Sequence, residues 1–147
     1  MLFQEQSFQE KSAWVMSFAL IAAGCFYYWV VVSLSMASGS VIGPNAPFVI
    51  GYTGGLIVLA IIGHIIIAAL SPKEANAELD ERDRMISVRA GHLSGTILGV
   101  GVLLALGSYW FFRNGDVLFY AVFLSLMVSQ VLEYLIQIYL YRSVVYS

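Results

Sequence analysis

The chain has 147 residues, of which 60% are hydrophobic and only 11% are charged. Soluble domains carry roughly 25% charged residues, so this composition excludes an ordinary water-soluble domain. The length favours a single domain over residues 1–147, and a net charge of -2 gives no support to a nucleic-acid partner. From Ser12 to Pro72 there is no Asp, Glu, Lys or Arg, which predicts that a lipid bilayer surrounds this stretch.

The first half of the chain predicts two transmembrane helices. A first span is expected over about residues 13–37, because about 20 apolar residues cross a bilayer at about 1.5 Å rise each. The stretch is longer than the roughly 7–15 apolar residues of a signal peptide, so we expect it to be retained. Glycines and prolines follow, and a second span is predicted over about residues 48–70.

The second half begins with a charged segment, residues 71–89. Ser71-Pro72 followed by Glu74 is typical of a helix start, so this segment is expected to be largely helical. Two further spans are predicted over about residues 90–112 and 117–141, separated by a polar turn. The sequence therefore predicts an all-α integral membrane bundle of four transmembrane helices.

The basic residues predict the orientation of the bundle. All of them except Arg113 fall on the side that holds both termini and the charged segment, namely Lys11, Lys73, Arg82, Arg84, Arg89 and Arg142. Basic residues collect on the cytoplasmic side of membrane proteins. We therefore expect cytoplasmic N- and C-termini, a cytoplasmic loop over residues 71–89, and a multi-pass protein of the cytoplasmic (inner) membrane.

Polar residues recur along the fourth predicted span. The set is Ser125, Ser129, Gln130, Glu133, Gln137 and Tyr141. A spacing of four places most of them on one helix face, and a carboxyl group inside a membrane is costly unless it faces protein, water or a ligand. One interpretation is hydrogen bonding between helices with Glu133 protonated, and the other is a functional polar site.

Two histidines lie at similar predicted depths. His64 and His92 are about 10 and 5 Å inside the cytoplasmic boundary, and Glu133 is about 13 Å inside, at about 1.5 Å rise per residue. Two imidazoles and a carboxylate can hold a divalent metal ion, and two imidazoles can hold haem iron. A relay of protons and a structural hydrogen bond for each histidine are the alternatives.

Glycines spaced by four occur on two predicted helices. The second has Gly51, Gly55 and Gly63, and the third has Gly91, Gly95 and Gly99. Small residues at this spacing allow helix backbones to approach closely. We expect the second helix to pack on the third through these faces, with a contact between copies of the chain or a sliding helix as the alternatives.

The charged segment contains the run Asp80, Glu81, Arg82, Asp83 and Arg84. It is interpreted either as a solvated, self-paired helix or as a docking surface for a cytoplasmic protein. The Asp-Glu-Arg-Asp motif, with Ile86 and Ala90 ahead of a hydrophobic span, resembles that of a family of small prokaryotic integral membrane proteins of uncharacterised function. Its members are often encoded beside helix-turn-helix regulators, so the resemblance, over about residues 75–145, implies a membrane partner of a regulatory system.

These observations favour a non-enzymatic accessory or regulatory membrane protein that docks a partner through residues 73–89. The alternative is a small transporter, or a metal- or haem-binding protein, that uses His64, His92 and Glu133. An enzyme is not expected, because the sequence has no nucleophile–base arrangement, phosphate-binding loop or acidic metal cluster.

Overall fold

The computed structural model describes residues 8–70, 72 and 80–143, and these form four long α-helices. Their bounds are Phe8–Ser38 (α1), Ala46–Leu70 (α2), Glu81–Phe112 (α3) and Gly115–Ser143 (α4). Each helix is long and apolar enough to cross a membrane. The predicted all-α fold with four candidate spans is therefore confirmed, and four such helices in one chain indicate a multi-pass membrane protein.

Two helices extend beyond their predicted apolar spans. α1 begins at Phe8 rather than near residue 13, and α3 begins at Glu81 rather than near residue 90. Glu81 and Asp83 in the first turn of α3 favour an early start, because carboxylates stabilise the positive end of the helix dipole. The predicted helix start at Ser71 and the segment 73–79 lie outside the described residues.

A tight turn joins α3 to α4. Arg113 ends α3 in the left-handed region, with φ of 49°, and its N–H donates to the Tyr109 carbonyl at 2.8 Å. Asn114 then caps α4, because its Oδ1 accepts the N–H of Asp116 at 2.8 Å. So short a connection places α3 and α4 side by side and antiparallel.

The helices pack in the order α2, α1, α4, α3. α1 contacts both α2 and α4 extensively, and α4 contacts α3. The predicted packing of α2 on α3 is wrong for the described helices. A Cβ added at Gly51, Gly55, Gly95 or Gly99 would meet no heavy atom within 4 Å, so these glycines face open space rather than another helix.

The two ends of the bundle have different chemistry. At the Arg113 end, where α1 and α3 finish, a cluster of Tyr27, Val31, Tyr120 and Met127 is buried among further aromatic rings. At the opposite end, which we call the Arg142 end, polar side chains join the helices. Large apolar residues such as Phe111, which is 87% exposed, cover the outside of α3, as expected of a surface that faces lipid.

Candidate functional site

The polar stripe of α4 faces α3. Ser129 is 1% exposed and its hydroxyl donates to the Ser94 carbonyl at 2.9 Å. About one turn of α4 nearer the Arg113 end, a Cβ added at Gly101 would lie 2.8 Å from Ser125 Oγ. The two backbones therefore approach closely at Ser94 and Gly101 of α3. We call this contact the α3–α4 seam; it consists of Asp83, Gly91, Ser94 and Gly101 of α3 and Ser125, Ser129, Glu133 and Tyr141 of α4.

Glu133 lies within the seam. The Ser94 hydroxyl is 3.2 Å from Glu133 Oε2 and 3.1 Å from the Gly91 carbonyl. A Cβ added at Gly91 would lie 3.8 Å from Glu133 Oε1, so the glycine leaves room for the carboxyl group. Of the other stripe residues, Gln137 is half-buried, whereas Gln130 is exposed.

The stripe ends at Tyr141, which contacts the start of α3. Its hydroxyl donates to Asp83 Oδ1 at 2.8 Å, and Arg82 Nη2 donates to the Tyr141 carbonyl at 3.2 Å. The Arg82 guanidinium also lies 6.0 Å from the centre of the Tyr141 ring. The charged run is thus divided: Arg82 and Asp83 bind α4, while Asp80, Glu81 and Arg84 are exposed.

The two histidines lie in different environments. His64 joins α2 to α1, because its Nε2 is 2.8 Å from Ser12 Oγ and its Nδ1 is 2.8 Å from the Ala60 carbonyl. With Nδ1 donating to the carbonyl, Nε2 accepts the serine hydrogen, and both ring nitrogens are occupied. His92 is exposed on the outer side of α3.

The predicted metal or haem site is not assembled in this structure. His64 belongs to the α1–α2 contact, His92 to the outer side of α3, and Glu133 to the α3–α4 seam. Within residues 8–70, 72 and 80–143, no group of three His, Cys, Asp or Glu could hold a metal ion. The predicted depths along each helix therefore did not place these residues on one face of the bundle.

Polar contacts join all four helices at the Arg142 end. Besides Ser12–His64 and Tyr141–Asp83, Arg142 Nε lies 3.3 Å from Glu10 Oε1, and its guanidinium lies 5.4 Å from the centre of the Trp14 ring. Glu10 is 7% exposed. Sequence reasoning missed Ser12 and Glu10, although the opposite charges of Glu10 and Arg142 at the same boundary were an available signal.

A second surface lies on the outer side of α3. It is a shallow groove of about 520 Å³, here called the basic groove, lined by Arg84, Met85, Val88, Arg89, His92 and Leu93. All six residues are exposed. Cationic and apolar side chains therefore alternate along this face of the helix.

No protein-family model matches this chain, and no curated protein or solved structure is significantly similar to it. The geometry of the described residues is therefore the basis on which a function is assigned.

Proposed function

We propose that this chain is a non-enzymatic accessory or regulatory protein of the cytoplasmic membrane that docks a cytoplasmic protein through the charged start of α3. One observation carries the proposal. Arg82 and Asp83 bind Tyr141 of α4, whereas their neighbours Asp80, Glu81 and Arg84 are exposed. Two of the five residues in the charged run fix the helix, and the side chains of the other three are free to contact a partner.

The fixed geometry favours recognition. Ile86 is 6% exposed and Ala90 is fully buried at 0%, so α3 is packed on the bundle within two turns of its charged start. A surface that is already ordered does not lose the conformational entropy that a disordered loop loses on binding. Charges held in a fixed pattern increase specificity and association rate more than affinity, which suits a transient regulatory contact.

The orientation is part of the proposal and has its own test. Basic residues cluster at the Arg142 end, which favours a cytoplasmic location for that end. We expect a reporter fused after Tyr141 to read cytoplasmic and one inserted within Ser40–Asn45 to read external. A cytoplasmic reading at Ser40–Asn45 would contradict the orientation and, with it, the cytoplasmic partner.

Site-specific crosslinking tests the docking itself. A photoactivatable amino acid at Glu81 should yield one distinct protein adduct in intact cells, since Glu81 is exposed beside the fixed Arg82 and Asp83. The same probe at Leu103, which is 69% exposed on the apolar part of α3, is the control and should not yield that adduct.

Charge reversal makes the crosslinking experiment specific. The substitution Asp80→Lys should reduce the Glu81 adduct by about tenfold, the amount expected for about 1.4 kcal/mol of lost interaction. Arg113→Glu, at the opposite end, should leave the adduct unchanged. An adduct that is equally strong with Asp80→Lys, or the absence of any adduct at Glu81, would contradict docking through this surface.

A further inference from the structure

The basic groove on α3 contains two arginines whose side chains bind no other side chain within residues 8–70, 72 and 80–143. Arg82 and Arg142 are held by Tyr141 and Glu10. By contrast, the side chains of Arg84 and Arg89 make no hydrogen bond or ion pair with any described residue. Asp80 and Arg84 stand four residues apart, but their side chains form no ion pair, so both arginines are available to bind a ligand.

The groove places these cations around an apolar strip. At 3.6 residues per turn, Arg84 and Arg89 lie about 140° apart on the helix surface, with Val88 and His92 between them. Val88 is 66% exposed and Met85 is 67% exposed. The long arginine side chains can reach inward over this strip from both flanks, which forms a site with a polar top and an apolar floor.

The position of the groove along α3 matches the surface of a bilayer. From Ala90 to Phe112 the helix has no charged residue, and these residues extend roughly 34 Å at about 1.5 Å each. The hydrocarbon core of a bilayer is about 30 Å thick. Arg89 is therefore placed where hydrocarbon gives way to headgroups, and Leu93 lies one turn deeper.

We propose that the basic groove binds an anionic phospholipid, with the phosphate between Arg84 and Arg89 and an acyl chain along Val88 and Leu93. Guanidinium groups match phosphate oxygens in geometry and charge, and the exposed His92 provides a further polar contact. A protein partner fits less well, because Leu93, at the inner part of the groove, lies at the level of the lipid hydrocarbon. The inference goes beyond partner docking, since it requires no cytoplasmic protein.

Lipid titration of the purified, detergent-solubilised chain tests the site. Phosphatidylglycerol should bind with higher affinity than phosphatidylcholine, measured by native mass spectrometry. The double variant Arg84→Gln/Arg89→Gln should weaken phosphatidylglycerol binding about tenfold or more and leave phosphatidylcholine binding unchanged, because each basic residue near the surface contributes about 1 kcal/mol. Arg89→Lys should retain most of the binding, since it keeps the charge.

Matched controls separate the groove from net charge and from partner docking. Arg113→Gln removes one charge at the opposite end and should not alter phosphatidylglycerol binding, whereas Arg89→Gln should weaken it. Asp80→Lys should leave lipid binding intact while reducing the Glu81 adduct, so the two proposals can fail independently. Equal weakening by Arg89→Gln and Arg113→Gln would overturn the site, because only general charge attraction would then be acting.

A soluble-phosphate competition identifies the source of the phosphate. Millimolar inorganic phosphate should not displace phosphatidylglycerol, because it lacks the acyl chain that contacts Val88 and Leu93. Val88→Asn should weaken lipid binding without altering the helical circular dichroism. Complete displacement by inorganic phosphate, or an unchanged affinity in Val88→Asn, would overturn the lipid site.

Discussion

The α3–α4 seam and the α1–α2 pair both contain glycines spaced for close helix packing, yet they differ along their length. In the seam, contacts run from Asp83–Tyr141 at one end, through Ser94–Ser129, to Gly101–Ser125. Small side chains and hydroxyl groups on α4 meet small residues on α3. Ser129 of the polar stripe thus bonds to the backbone of α3 at Ser94.

The α1–α2 pair is close only near the Arg142 end. There Ser12 bonds His64, and a Cβ added at Gly63 would overlap Val15 Cγ1. Towards the Arg113 end a groove of about 520 Å³, lined in part by Phe26, Gly51 and Gly55, separates the helices. Of the residues in Ala46–Leu70, Ile67 alone is buried.

Glycine spacing therefore permits close packing but does not determine which helix packs against the glycines. Without a hydrophobic driving force between helices in lipid, association depends on van der Waals contact and hydrogen bonds. The serines of α4 offer both to α3, whereas Phe26 and Tyr27 of α1 are too bulky to fit closely against Gly51 and Gly55. We expect substitutions in the seam to cost more than equivalent ones in the α1–α2 pair.

Gly101→Leu is expected to have the largest effect. Even a Cβ at this position lies 2.8 Å from Ser125 Cβ and 3.6 Å from Ser125 Cα, so the two backbones must separate. We expect a loss of about 3 kcal/mol in the free energy of unfolding in mixed detergent micelles, the upper part of the usual range for overpacking. Gly95→Leu, whose site is open, should cost less than 1 kcal/mol. If Gly101→Leu and Gly95→Leu lower the free energy of unfolding equally, Gly101 does not lie in the close contact between α3 and α4.

Gly95 and Gly101 also show which features of the fold could be predicted from the sequence and which could not. The four candidate spans and their approximate limits follow from apolar length, because each helix satisfies its backbone internally in lipid. Gly95 belongs to an obvious Gly91, Gly95, Gly99 repeat, but Gly101 is the glycine that meets Ser125. A repeat is a property of one helix, whereas a contact depends on the helix opposite.

The contacts of the candidate site residues were also hard to predict, because they too depend on the neighbouring helix. Depth along each helix was predictable from 1.5 Å rise per residue, but rotation about each axis was not. His92 is therefore exposed on the outer side of α3, while Glu133 lies in the α3–α4 seam. Tyr141 and Asp83, by contrast, lie at the facing ends of helices joined by a short turn, so their contact was within reach of sequence reasoning.

Gly63→Ala should have the second-largest effect and tests the close part of the α1–α2 pair. The added Cβ overlaps Val15 Cγ1, but a valine side chain at a lipid-facing contact can shift, so we expect a cost of about 1 kcal/mol. Val15→Ala in the same chain should remove most of that cost, measured as a double-mutant cycle. Gly55→Ala is the control and should be neutral or slightly stabilising, because its site is open. If the double-mutant cycle gives no coupling energy, Val15 and Gly63 are not in contact.

Tyr141→Phe removes one hydroxyl from the end of the seam. The Tyr141 side chain is 6% exposed and its hydroxyl bonds Asp83 at 2.8 Å. We expect a loss of about 1 kcal/mol, since water can partly replace the lost donor at the half-buried Asp83. Tyr139→Phe removes the same group from a side chain that is 69% exposed and should be neutral. If the two variants lose equal stability, the contact with Asp83 does not hold α3 against α4.

Ser12→Ala is expected to have the smallest effect of the four, because it removes a single neutral hydrogen bond in the α1–α2 pair. The Ser12 hydroxyl lies 2.8 Å from His64 Nε2, while His64 Nδ1 keeps its bond to Ala60. Hydrogen bonds between helices in membranes contribute about 0.6 kcal/mol on average, and water can reach Nε2 near the Arg142 end. The loss in the free energy of unfolding should therefore be about 0.6 kcal/mol, compared with no change for Ser33→Ala on the exposed side of the same helix.

A double variant checks that Ser12 acts through His64. His64→Asn combined with Ser12→Ala should cost no more than His64→Asn alone, because the bond between the two side chains is already absent. If Ser12→Ala lowers the free energy of unfolding as much as Gly101→Leu does, the α1–α2 pair is not the weaker contact, and the expected difference from the α3–α4 seam is wrong.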